Sequence, residues 1–195
     1  MVDEERRVLV GITGASGVIY GIRALELLSV MPDVEAHLML TAPARTTIGL
    51  ETDRSVEEVE SLADVVYPIR DISAGPASGS FRSMGMLVAP CSIRALSAIA
   101  NSHSADLLTR AADVTLKERR TLVLMVREAP LHLGHLRLME RAAEIGAVVF
   151  PPVPAFYTNP TSLDEAVSYT AARALEQLGL EVVGMERWAG PRGSS

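Results

Sequence analysis

Apolar and polar positions change their period repeatedly along this chain. "RRVLVGI" (6–12) is a near-continuous apolar run, the pattern of a strand covered on both faces. Val18 to Val30 then repeats with helical spacing, and "VEAHLML" (34–40) reads as a second strand ending at Thr41. A helix is predicted through "ARTTIGLE" (44–51), and "SVEEVESLAD" (55–64) opens with the capping-box spacing of Ser55 and Glu58. A short strand at Val65 to Ile69 leads into a loop rich in Gly and Ser, "SAGPASGSF" (73–81). Next come the strand "MGMLVAP" (84–90), a helix starting in "CSIRALSAIA" (91–100) and a helix through "SADLLTRAADVTLKE" (104–118). The strand "TLVLMV" (121–126), a helix from Leu133 to Ile145 and the strand "AVVF" (147–150) follow. The loop "PPVPAFYTNP" (151–160) joins a last helix, "SLDEAVSYTAARALEQLG" (162–179).

Strands alternating with helices at this spacing predict one doubly wound parallel sheet, a three-layer α/β/α domain of the Rossmann-like or flavodoxin-like kind. Ligands of such sheets bind outside the carboxyl ends of the strands. That rule gathers "TGASG" (13–17), Thr41, "PCSIRA" (90–95), "REAP" (127–130) and "PAFY" (154–157) on one predicted rim. The domain is expected to span 1–188, with "AGPRGSS" (189–195) as a disordered tail.

Composition narrows the function. The net charge of −6 argues against a nucleic-acid partner. No apolar run reaches the ~18 residues of a membrane span, and "MVDEERR" lacks the apolar region of a secretory leader, so a cytoplasmic protein is expected. The single cysteine, Cys91, fits a reducing compartment. Hydrophobic residues reach 48%, a surplus that points to buried contacts between subunits of a homo-oligomer. Arginine supplies 17 of the 18 basic residues, so Lys117, the one lysine, stands out.

The chemistry starts at "GITGASGVIYG" (11–21), where Gly11, Gly14 and Gly17 recur every third position. A glycine-rich turn between strand and helix cradles a phosphate in many folds. The spacing is not the dinucleotide G-x-G-x-x-G, and the second strand ends in Thr41 rather than the carboxylate that holds a dinucleotide ribose. A mononucleotide phosphate suits these hydroxyls better. A tight turn with no ligand is the competing reading of the glycines alone. Arg110, Lys117, Arg119, Arg120 and Arg127 crowd into 18 residues of an acidic protein, and Arg127 ends an apolar strand where an anion would bind.

Five blocks in order, "GITGASGVIYG", "PCSIRALSAIA", "LLTRAADVTLKERR", "REAPLHLGHLRLM" and "PPVPAFY", resemble the flavin prenyltransferase family (UbiX-like proteins) over Val8 to Trp188. The resemblance implies an FMN-binding enzyme, independent of metal, that joins a dimethylallyl group from dimethylallyl monophosphate to N5 and C6 of reduced FMN. The prenylated FMN would serve a partner UbiD-like decarboxylase of the ubiquinone-pathway or phenolic-acid type. It further implies a homo-oligomer, a dodecamer in the family, with sites at subunit junctions. Carried over, FMN contacts fall on Gly14, Ala15, Ser16, Thr41, Ser92, Ile93, Arg94, Ala95, Arg110 and Arg127. The prenyl phosphate falls on Lys117, Arg127, Glu128, Tyr157 and Arg173, drawn from neighbouring subunits. Ser16, Glu51, Arg110 and Trp188 match positions lining the family's active site, with Ser16 set to tune N5 and Trp188 to shelter an allylic cation. Members commonly carry Ser-x-Lys-Thr where this chain has Ser92-Ile93-Arg94-Ala95, which removes one hydroxyl.

Two other classes share the fold: an FMN-dependent cysteine decarboxylase-like flavoprotein and a non-catalytic flavin carrier. The decarboxylase's usual histidine and Pro-x-Met-Asn segment are not visible, and a carrier has no need of the Lys117, Arg127 and Arg173 anion site. His132 and His135 stand three apart with no third ligand evident, and read as surface or capping residues rather than a metal site. Cys91 reads as packing. No two aspartates are adjacent, so the magnesium motif of diphosphate-using prenyltransferases is missing.

Overall fold

A computed structural model describes residues 6–183. Its six strands are β1 (Arg7–Ile12), β2 (Glu35–Leu40), β3 (Val65–Tyr67), β4 (Gly85–Cys91), β5 (Thr121–Val126) and β6 (Val148–Val149). They form one parallel sheet in the order β3-β2-β1-β4-β5-β6. The seven helices are α1 (Val18–Ser29), α2 (Ala42–Glu51), α3 (Val56–Glu60), α4 (Ile93–Ala100), α5 (Leu107–Lys117), α6 (Leu133–Glu144) and α7 (Leu163–Glu176). The chain winds outward from β1 to β3, then restarts beside β1 at β4, so the crevice opens above the carboxyl ends of β1 and β4.

Period-2 alternation inside the apolar strands builds two cores. Val8, Val10 and Ile12 of β1 join Leu87 and Ala89 of β4 under α1 and α7. Leu9, Met86, Val88 and Cys91 face the other way, under α4 and α5. Each fully buried aliphatic side chain contributes roughly 1.5–3 kcal/mol, which explains why both faces of the sheet are covered. Among the described residues no helix is long and apolar enough to cross a membrane.

Boundaries differ from the pattern where a cap intervenes. The helix predicted from Ser104 begins at Leu107, because the Asp106 carboxylate accepts the Thr109 amide (2.9 Å) and Thr109 Oγ1 accepts the Asp106 amide (3.1 Å). Cys91 stays in β4, and α4 starts only after Ser92, whose Oγ accepts the Ala95 amide (3.3 Å). The Ser55–Glu58 capping box forms as predicted. The strand expected at 147–150 shrinks to Val148–Val149, since Pro151 and Pro152 cannot extend a ladder.

α1 lies directly on the sheet because Gly21 has no side chain. A Cβ there would collide with the Ala89 carbonyl oxygen and lie 2.8 Å from Ile12 Cδ1. Gly21→Ala is expected to lower stability by about 1–3 kcal/mol through overpacking. Equilibrium unfolding in urea checks it, and an unchanged midpoint would contradict the packing described.

Candidate active site

One buried hydroxyl ties the two strand ends at the crevice. Thr13 Oγ1 donates to the Pro90 carbonyl (2.7 Å) and accepts the Ser92 amide (2.9 Å). This puts Ser92 at the N-cap of α4, facing the end of β1. The amides of Ile93 and Arg94 lie in the first turn, which has no intrahelical acceptors for its N–H groups. Thr41 caps α2 in the same way, accepting the Ala44 amide (3.2 Å). Two hydroxyl-capped helix N-termini thus border the crevice, a setting for an anion. Ala95, at the position of the missing hydroxyl, is buried in the core beneath α4.

The glycine-rich turn is not an open cradle. Glu51 Oε2 accepts the amides of Gly17 (2.7 Å) and Val18 (3.3 Å), so a carboxylate already sits on the N-terminus of α1. Desolvation pushes the Glu51 carboxyl up, but hydrogen bonds from Ser16, Gly17 and Val18, with the Arg127 charge, outweigh it and hold it below the ordinary range. Gly17 adopts φ 97°, which favours glycine, and Gly14 packs where a Cβ would collide with Pro43 of α2. The turn's glycines therefore serve close packing and a helix start, and the carboxylate on α1 corrects the reading of this turn as a free phosphate seat. Ser16 and Ala15 stay at the crevice edge.

Arg127 ends β5 beside this turn, its amide donating to the Cys91 carbonyl (3.2 Å). Its Cγ lies 3.9 Å from where a Gly17 Cβ would be, next to Tyr20. Burial raises the Tyr20 hydroxyl's pKa, and the Arg127 charge partly offsets this. Thr13 lies in the "TGASG" stretch already gathered on the rim, whereas Tyr20 is a neighbouring residue the sequence pattern did not single out. Tyr20 is visible only as the residue three beyond Gly17 on α1's first turn. Glu128 is exposed, its carboxylate accepting the Ala129 amide (3.0 Å). Cys91 is fully buried and its thiol is pushed up to about 12 by desolvation, as a packing residue would be.

Tyr157 does not join the rim, contrary to the prediction for "PAFY". The proline-rich segment after β6 carries it to the carboxyl-terminal half of α7. There Tyr157, Tyr169, Arg173, Glu176 and Gln177, with Gly179 to Glu181, line a cleft of about 530 Å³. Leu178 Cδ2 approaches Gly85 at the start of β4, so this end of α7 lies at the opposite edge of the sheet from the rim. The Tyr157 and Tyr169 hydroxyls are 2.6 Å apart with rings edge-to-face, and Arg173 pairs with Glu176. Tyr157 and Arg173 line the same cleft, and Tyr169 between them was not singled out from the sequence.

Lys117 ends α5, pairs with Glu118, and lies against Gly79, where a Cβ would be 2.6 Å from its Nζ. Arg120 holds that loop by donating to the carbonyls of Phe81 (2.6 Å) and Gly79 (3.0 Å). Arg110 donates to the Ala77 carbonyl (3.2 Å) and pairs with Asp113 (2.9 Å). Arg110 lies in the first turn of α5, whose Leu107 amide donates to the Ile69 carbonyl just past β3 (2.9 Å), while Lys117 lies at the far end of that helix. His132 caps α6 by accepting the Gly134 amide (3.0 Å), with the His135 ring 3.6 Å away. Trp188 and the 189–195 tail lie outside the described residues.

A doubly wound sheet with hydroxyl-capped helices at its switch point has the architecture of a mononucleotide-binding α/β protein, and a separate cleft carries Arg173 beside Glu176 and Glu181. The family described as Flavoprotein matches residues 2–165. "Flavin prenyltransferase UbiX" of Escherichia coli K12 is 56% identical over 187 residues, covering 95% of this chain and 99% of that protein. The crystal structure of AnUbiX (PadA1) in complex with FMN and dimethylallyl pyrophosphate superposes with a TM-score of 0.93 at 45% identity, covering 95% of this chain and 98% of that one. A dodecameric FMN-dependent UbiX-like decarboxylase from E. coli O157:H7 gives 0.92 at 44% identity, over 94% and 100% of the two chains. This chain belongs to the flavoprotein family, among its UbiX-type flavin prenyltransferases.

Glu51 yields a pH prediction. Its carboxyl titrates lower folded than its ordinary 4.5, so its contribution is complete above the unfolded value and is lost as pH falls through the folded one. Glu51→Gln should be less stable than the parent at pH 7, and the two unfolding curves should converge below about pH 4.5. A gap that persists unchanged into acid would contradict the capping role.

Proposed function

We propose that this protein transfers a dimethylallyl group from a dimethylallyl phosphate ester to reduced FMN, giving prenylated FMN. The observation that carries this is the division of the chain into a hydroxyl-lined rim and a separate Tyr157–Tyr169–Arg173 cleft. The rim's donors fit FMN. The first turn of α4, with the Ser92 and Thr41 hydroxyls, suits its phosphate, since α1's amides are occupied by Glu51. Gly14, Ala15, Ser16, Arg94 and Arg127 would border the ring, with Ala95 packed behind them in the core. Bound and reduced, FMN supplies the nucleophile that captures the allyl group.

Ionising an allylic phosphate needs positive charge and hydrogen-bond donors on the leaving oxygens. Tyr157 and Arg173 supply these from the cleft, Lys117 and Arg127 supply two further cations, and Glu128 is placed to take a proton at ring closure. Each such preorganised group is typically worth ~3–4 kcal/mol in the transition state. Lys117 and Arg127 flank opposite ends of β5, a six-residue strand of roughly 20 Å. A lysine side chain cannot span that distance, so groups acting on one phosphate come from different subunits. Exposed apolar side chains at Leu133, Leu136 and Phe156 support assembly, and we place the count at twelve. Reduced flavin and the free thiol of Cys91 suit a cytoplasmic location, and a UbiD-like decarboxylase is the proposed recipient of the product.

We assign the monophosphate as donor, because Lys117, Arg127 and Arg173 match its charge without magnesium. The test mixes protein, reduced FMN and dimethylallyl monophosphate or diphosphate, and reads the flavin's mass. Prenylated FMN should form with the monophosphate and survive EDTA. A tenfold loss on chelation, restored by magnesium, would overturn the metal-free assignment. Lys117→Ala and Arg173→Ala should each cut the rate by about 100-fold or more while FMN stays bound. A variant that loses FMN but prenylates normally with excess flavin would overturn its phosphate role.

A further inference from the structure

Tyr169 lines the cleft beside Tyr157, with no chemical role yet assigned to its hydroxyl. Its ring meets that of Tyr157 edge-to-face at 6.2 Å, and the two hydroxyl oxygens are 2.6 Å apart. Each hydroxyl carries one proton, and only one of the two can lie between the oxygens. Both line the cleft, but Tyr157 is 51% exposed whereas Tyr169, on α7, is half-buried. The dianion of a phosphate monoester offers only acceptors, so an occupied cleft draws the more exposed hydroxyl's proton toward itself. The other hydroxyl then fills the gap.

We propose that Tyr169 is a positioning residue, donating to Tyr157 Oη so that the Tyr157 proton points at the leaving phosphate in the cleft beside Arg173. This rests on the assignment of that phosphate to the cleft. Both protons stay on their own oxygens throughout; the effect is orientation and mutual polarisation along the chain Tyr169–Tyr157–phosphate. Burial and the contact with Tyr157 push the Tyr169 hydroxyl up to about 12, so it keeps its proton and remains a donor. Arg173, one turn further along α7, shares the cleft and supplies the charge that a second neutral hydroxyl does not.

The test is a double-mutant cycle in Tyr157→Phe and Tyr169→Phe, with steady-state kinetics on dimethylallyl monophosphate and saturating reduced FMN. Phenylalanine keeps both rings and removes only the hydroxyls. Tyr169→Phe should lower kcat by about three- to tenfold, the worth of one hydrogen bond. KM should stay within about twofold, because the bond strengthens as charge builds on the leaving oxygen. In the Tyr157→Phe background, adding Tyr169→Phe should change kcat by less than about twofold. Equal losses from Tyr169→Phe in both backgrounds, or none in either while Tyr157→Phe is impaired, would overturn the role of Tyr169 alone. If Tyr157→Phe and Arg173→Ala both match the parent, the phosphate lies elsewhere and the placement of the donor falls with it.

Discussion

The side chain of Thr13 is 2% exposed and joins the ends of β1 and β4 through two hydrogen bonds, one given and one received. Strand order reverses at this seam, so two chain segments 77 residues apart diverge there and open a crevice. A buried hydroxyl left unpaired costs about 1–3 kcal/mol, and here both of its capacities are used. Because the Ser92 amide is held by Thr13, the Ser92 hydroxyl is free to cap α4, and the first turn of that helix is aimed across the crevice. The rim's geometry follows from that seam.

Charge is distributed around the crevice with a particular economy. Glu51 reaches from the end of α2 to the start of α1, closing one helix N-terminus with a protein carboxylate. The anion seat of α4 carries hydroxyls instead. Arg127 stands between them and is felt by both Glu51 and Tyr20. The Glu51 carboxylate on α1 thus occupies one helix N-terminus and is balanced by the Arg127 charge. Across the molecule, the cations assigned to the prenyl phosphate occupy three separate places: the end of β5, the end of α5 and the outer face of α7. On the proposed assignment, association of subunits would bring these places together, a use for the apolar surplus of the composition.

Arg23 shows how the same helices are held. It pairs with Asp164 and Ser168 of α7 and with Glu26 of its own helix, and Glu26 in turn pairs with Arg54. Guanidinium forks bridge several oxygens at once, which a lysine ammonium does less well. Arg23 thus cross-links α1 to α7, and Arg54 ties the segment after α2 to α1.

Strand and helix order were legible from the sequence, because an apolar run buried on both faces and a 3.6-residue period are local signals. The cap at Ser55 was legible for the same reason, whereas those at Thr41 and Ser92 emerged only with the structure, and the five sequence blocks pointed to the family. What only the tertiary structure decided was pairing between distant segments. Glu51 reads as a helix-end acid until α2 is folded against α1, where it claims the glycine turn's amides. Tyr157 follows a strand and reads as a rim residue until the prolines after β6 carry it to α7. Tyr169 reads as one side chain on an amphipathic helix until Tyr157 arrives beside it. Periodicity reports which face of an element is buried, but a hydrogen bond between residues 12 or 34 positions apart depends on how the elements pack, and no local pattern encodes that.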